Sequence, residues 1–102
     1  MHVRKHRWSR DYESAEEELA NLLAAKHIEA QRWLGQPDEE IAAHTHNTDT
    51  RIWCVEGSIK FTIDGKQFSL QPGDTLDIPA AIVRSAVVGF TGCVCYEAPI
   101  QS

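Results

Sequence analysis

From Ile28 onward, apolar and polar positions alternate in short runs separated by turn residues. Ile59, Phe61 and Ile63 alternate with Lys60 and Thr62, the period-two pattern of a half-buried strand. Asp64-Gly65 then signals a tight hairpin into Phe68 and Leu70. The same reading predicts strands over Ile28 to Leu34, ended by Gly35-Gln36-Pro37-Asp38, over Ile41 to Thr45, and over Arg51 to Glu56, closed by Gly57. Further strands are expected from Leu76 to Ile78, between Gln71-Pro72-Gly73-Asp74 and Pro79, then from Val83 to Val88 and from Cys93 to Glu97. Short strands at this spacing predict an antiparallel sandwich or barrel. Helical spacing occurs once, at Leu19, Leu22 and Leu23, with Ser14 and Glu17 placed as a capping box. The pattern divides the chain into an N-terminal arm and helix, 1–27, expected to pack on the sheet, and a β domain, 28–102.

Composition narrows the function classes. The 102 residues, 42% apolar and 25% charged, suit one globular domain. A net charge of −5 argues against nucleic-acid binding, which calls for a basic face. No apolar run reaches the ~18 residues of a membrane helix, and the charged N-terminus is unlike a signal peptide, so a cytoplasmic location is expected. Cys54, Cys93 and Cys95 make an odd count and are expected as free thiols packed as small hydrophobes. Arg4, Lys5, His6, Arg7 and Arg10 form a basic arm. It is read either as a contact for an anionic partner or as a tail or strand whose Trp8 packs on the sheet or a neighbouring subunit.

The candidate chemistry centres on His44-Thr45-His46. Histidines at i and i+2 on a strand point the same way, so two imidazoles can serve one metal or one ligand. With Gly57, Gly73 and Pro79 at their present spacings, and 15 residues from Ser58 to Pro72 between the two blocks, the chain resembles a cupin over roughly residues 28 to 98. The resemblance implies a mainly β fold, an antiparallel jelly-roll barrel with one N-terminal helix. It also places two family metal ligands on His44 and His46. The family's glutamate falls on Thr50, its third histidine on Arg84, its glycines on Asp38 and Ala81, and its asparagine on Val88.

These departures make the implied site about two charges more positive than the family's. A guanidinium about 5 Å from a divalent ion repels it by several kcal/mol at an effective dielectric near 20, and arginine cannot deprotonate. Three readings are open. Arg84 pairs with an anionic ligand that His44 and His46 also bind; or His44 and His46 hold one divalent transition metal, with water, Asp49 or ligand completing the shell; or Cys54 joins Cys93 or Cys95 and a histidine around zinc. Alternation from the histidine strand puts Thr50, Ile52 and Cys54 in the lumen and Arg51, Trp53 and Val55 outside. Trp53 then needs cover from the helix or from a second copy, and a homodimer is expected. In a plainer reading, Arg84 pairs with an acid such as Asp77 or Glu97.

Two functions follow. The first is a small cupin binding a small anionic metabolite in the lumen through Arg84, His44, His46, Thr50 and Cys54. The second is a metal-dependent dioxygenase, isomerase or lyase acting on a small polar substrate. Whether the protein is an enzyme is left open by the residues, and no hydrolase-type nucleophile set occurs.

Overall fold

Alternation along the chain builds a sheet with two different faces, and one helix is laid on the outer one. The computed structural model describes residues 3–8 and 15–100. The elements are β1 (Arg4–Arg7), α1 (Ala15–Ala25), β2 (Gln31–Gly35), β3 (Glu40–His44), β4 (Thr50–Ile63), β5 (Lys66–Leu70), β6 (Asp74–Ile78) and β7 (Arg84–Pro99). All pairings are antiparallel. The strands run in the order β1-β6-β4-β7-β2, with β3 also on β7 and β5 also on β4. Among the described residues no ladder joins β1 to β2, so the expected closure into a barrel is not made by strand pairing. The fold is a mainly β, antiparallel sheet with one helix.

The two long strands correct the sequence reading. The stretches on either side of Gly57 are one strand, β4, and those on either side of Gly89–Gly92 are one strand, β7. The turn-like residues are bulges: the β4–β7 register shifts between Cys54 and Glu56 and again between Gly57 and Ile59. Gly57 and Gly92 have φ of 71° and 82°, a backbone that favours glycine. A Cβ on Gly57 would overlap the Gly92 carbonyl oxygen. A straight strand of β7's length spans about 50 Å, whereas the longest extent of the molecule is 35 Å. The sheet therefore folds over on itself along β4 and β7.

The bulges also change which residues face inward. Before them on β4, Ile52 and Cys54 enter the inner core; after them, Ile59, Phe61 and Ile63 do. On β7 the inward set changes from Ala86 and Val88 to Cys93 and Cys95. A bulged residue reverses the period-two phase, so both strands must carry one for the inner face to stay apolar.

The outer face holds Trp53, Val55, Val94 and Ala98 against Ala15, Leu19 and Leu23 of α1, which recur every fourth residue along one helix face. Burial of this stripe fixes where the helix lies. Its end is a Schellman turn: His27 takes φ 54°, Ile28 N donates to Leu23 O at 2.9 Å, and His27 N donates to Ala24 O at 3.2 Å. At the other end Glu16 accepts hydrogen bonds from Arg32 Nε and Tyr96 Oη, each at 2.6 Å. The capping residue Ser14 lies outside the described residues, so the predicted capping box is not described. In the basic arm, Lys5 and Arg7 form ion pairs with Asp74 as β1 pairs with β6.

Candidate functional site

β3 and the loop after it bring the two histidines together. His44 ends β3, and its register with β7 is irregular between Ile41 and His44. His44 Nδ1 lies 3.0 Å from the Ala42 carbonyl, and its Nε2 lies 3.1 Å from Nε2 of His46. In the neutral rings, Nδ1–H of His44 donates to Ala42, and Nε2 of His44 accepts from Nε2–H of His46. The loop is tied down from the other side, where Ala81 N donates to His46 O at 2.9 Å. Ala81 does so at φ 64°, and Asp38 sits at φ 61°. These are the two positions where a cupin carries glycine, so the backbone conformation persists without it.

Arg84 stands opposite His44 in the β3–β7 ladder and opposite Ile63 in the β4–β7 ladder. It is 1% exposed. Its Nη2 donates to the Pro79 carbonyl at 3.3 Å, while Nε and Nη1 are buried without a partner among the described residues. Burial lowers its pKa, and the Glu97 carboxylate acts against that shift. The side chain remains a cation.

A cavity of about 180 Å³ lies at this point. His44, His46, Arg84, Trp33 and Glu97 supply its polar groups, and Ile41, Ile52 and Phe61 its apolar wall. The Trp33 Nε1–H is likewise buried and unpartnered. The volume equals about six waters at ~30 Å³ each, room for a small metabolite. The chemistry offered is that of unused donors around a fixed cation.

Of the predicted ligand-binding residues, the structure brings His44, His46 and Arg84 together and leaves two out. Thr50 is buried, donates its hydroxyl to Thr48 O at 3.2 Å, and lines a neighbouring groove rather than the cavity. Cys54 is in the inner core, its Sγ–H directed at the carbonyls of Glu56 and Gly57 at 3.6 and 3.9 Å. Cys95 lies directly across from it in the β4–β7 ladder, and the three thiols are neighbours in the inner core. The three thiols are free and buried, and among the described residues no group of three His, Cys, Asp or Glu side chains could hold an ion, which gives the zinc reading no support. Asp77 is not the partner of Arg84 either, since it takes a two-pronged bond from Arg51 at 2.6 and 2.9 Å.

Trp33 and Glu97 were not singled out as site residues from sequence. Glu97 lies in the cavity because the bulge at Gly89–Gly92 brings Cys93, Cys95 and Glu97 onto the inner phase. Paired glycines flanking an exposed Phe90 were the available signal.

The cupin family implies a metal, and the donor set can be tested against one. The two Nε2 atoms are spaced as neighbouring donors at ~2.1 Å from one ion would be. The next two ligand positions hold Thr50, whose hydroxyl is turned to a carbonyl, and Arg84, a buried cation. Among the described residues no cluster of three His, Cys, Asp or Glu side chains could hold an ion. The residues do not fit a resident metal.

Comparison with known proteins agrees with the fold. The Cupin domain family model matches residues 32–87, more than half of the chain. The chain is 36% identical over 52 residues to quercetin 2,3-dioxygenase of Bacillus subtilis (strain 168), a match covering 50% of this chain and 15% of that protein. The chain thus spans a small part of the length of this curated relative. A cupin superfamily protein from Desulfitobacterium hafniense superposes with TM-score 0.64 at 15% identity, covering 98% of this chain and 79% of the other. Acireductone dioxygenase from Bacillus anthracis, with a cadmium ion in its active centre, superposes with TM-score 0.63 at 16% identity over the same shares, 98% and 79%. At these identities the two structures speak for the fold. The chain belongs to the cupin family.

Proposed function

We propose that this cupin binds a small carboxylate in the cavity at Arg84, with His44 and His46 as further contacts, and that its folded sheet is the family's jelly-roll barrel. Arg84 carries the reading. A guanidinium sealed from solvent with two N–H groups unpaired leaves about 1–3 kcal/mol per group unrecovered, and a carboxylate in the adjoining cavity would recover it through charge-assisted bonds. Two of the similar proteins are dioxygenases, but a metal-dependent oxidation here lacks its third and fourth donors, and Arg84 occupies one of those positions. We retain the homodimer in this proposal on the exposed apolar side chains of Leu34, Val87 and Phe90, and light scattering tests it.

Thermal-shift screening with carboxylates, keto acids and sugar phosphates tests the ligand class. Carboxylates should raise the melting temperature of the wild type and leave Arg84→Ala unmoved. Equal shifts in both proteins would sink the proposal.

A further inference from the structure

The cavity holds a second charge that a simple carboxylate leaves idle. Glu97 lines it, and among the described residues its carboxylate makes neither a hydrogen bond nor an ion pair. It acts on Arg84 only through the field, since no ion pair forms between them. Arg84 and Glu97 come from opposite ends of β7 and meet across the cavity because the strand folds over. Arg84 with its unused donors, Trp33 with its unused indole N–H and Glu97 with its unused acceptors therefore line one small space. Two opposite charges held apart inside one cavity are the complement of a zwitterion.

We propose that the ligand is a small zwitterion of the amino-acid class, its carboxylate held by Arg84 and Trp33 and its ammonium by Glu97. The proposal rests on the carboxylate reading and sharpens it. Ile41, Ile52 and Phe61 leave an apolar wall for a short aliphatic side chain. Each charge of the ligand meets its opposite, so neither remains desolvated and unpaired in the complex, whereas a plain carboxylate would leave its apolar end against Glu97.

The test is calorimetry on the full chain with glycine, alanine, 2-aminobutyrate and leucine, each beside the corresponding carboxylic acid and amine. The best amino acid should bind at least about tenfold tighter than its carboxylic acid, a 1.4 kcal/mol difference. Glu97→Gln should remove that advantage, with the plain acid bound at least as tightly because a repelling carboxylate is gone, and Arg84→Met should abolish both. Circular dichroism checks that each variant is folded. In the unmutated protein, the Trp33 indole N–H resonance should shift on saturation with the amino acid. Equal affinity for the amino acid and its acid in the wild type, or an advantage that survives Glu97→Gln, overturns the zwitterion but not the carboxylate site. Acid binding that survives Arg84→Met overturns the carboxylate reading, as does absence of binding by every probe, and the zwitterion falls with it.

Discussion

His44 on β3 lies directly opposite Arg84 on β7, so an imidazole and a sealed guanidinium share one face of one ladder. Cross-strand neighbours of this kind sit within about 5 Å at Cβ. The pairing converts what would be a metal position in the family's pattern into a cation facing the histidines. On the proposed reading, it makes the site selective for negative charge.

A function maintained at a cost to folding should show itself in Arg84→Met. Methionine fills similar space without the buried charge, and removal of such a charge is stabilising by about 1–4 kcal/mol when the replacement packs well. We expect chemical denaturation to give a more stable protein that no longer responds to carboxylates. A less stable Arg84→Met would mean that the guanidinium is satisfied in the folded protein.

The histidine pair should not retain metal. Protein purified without tag or chelator is expected to carry sub-stoichiometric transition metal by plasma mass spectrometry, with the same content in His44→Ala/His46→Ala. Near-stoichiometric metal lost in the double variant would restore the enzyme reading, with Arg84 as a substrate handle beside the ion.

Two backbone positions should respond oppositely to glycine chemistry. Ala81 holds φ 64° in an exposed turn, a conformation costing an L residue about 1–2 kcal/mol. After allowing for the greater freedom of glycine when unfolded, Ala81→Gly should gain about 0.5–1 kcal/mol. Gly57→Ala combines a φ of 71° with overlap onto the Gly92 carbonyl and should lose more than about 2 kcal/mol. Urea titrations of both variants measure the pair.

Acid should loosen the helix before the sheet. The Arg32 hydrogen bond, followed by that of Tyr96, holds the Glu16 carboxyl below its ordinary value of 4.5. A carboxylate depressed in the folded state adds stability that is full above that value and is lost as pH falls through the folded one. Protection of α1 amides, corrected for intrinsic exchange, should therefore fall as pH drops below that ordinary value, while inner-core amides of β4 stay protected. The contact is largely exposed, so the change should be small and should weaken with added salt.

The thiols should differ in reactivity although all three are buried. Contact with Cys54, then with Cys93, and then burial push the Cys95 thiol far up, whereas the hydrogen bond from Cys95 and one from the Gly35 backbone bring Cys93 down. Alkylation at pH 8 followed by mass spectrometry should label Cys93 ahead of Cys95. Equal labelling would show that global unfolding, rather than thiolate character, limits the rate.

Much of this was legible in the chain, and the misses have separate causes. The helix followed from Leu19 and Leu23, and the directions of Ile52 and Trp53 followed from alternation. His44 and His46 were singled out by their i, i+2 spacing on a strand, and Arg84 by the resemblance to the cupin motif. Glu97 was not, because a glycine that ends a strand and one that bulges it look alike in sequence, and Trp33 lies on a strand that alternation alone did not assign to the site. Gly57 and Gly92 are of the second kind, and everything beyond them shifts phase. Barrel closure depends on edges far apart in the chain, which local pattern does not register.

The folding-over of β7 has a consequence for how such a site can change. Arg84 and Glu97 belong to one strand, so the distance and facing of the two charges are set by the number of residues between them. Deleting or inserting one residue in that interval would throw one charge to the outer face, while the same edit at Asp64-Gly65 would leave both in place. If the cavity binds as proposed, its selectivity is set by length as well as by composition, and a relative with an identical set of side chains but one residue more in this strand would present a different pair of charges.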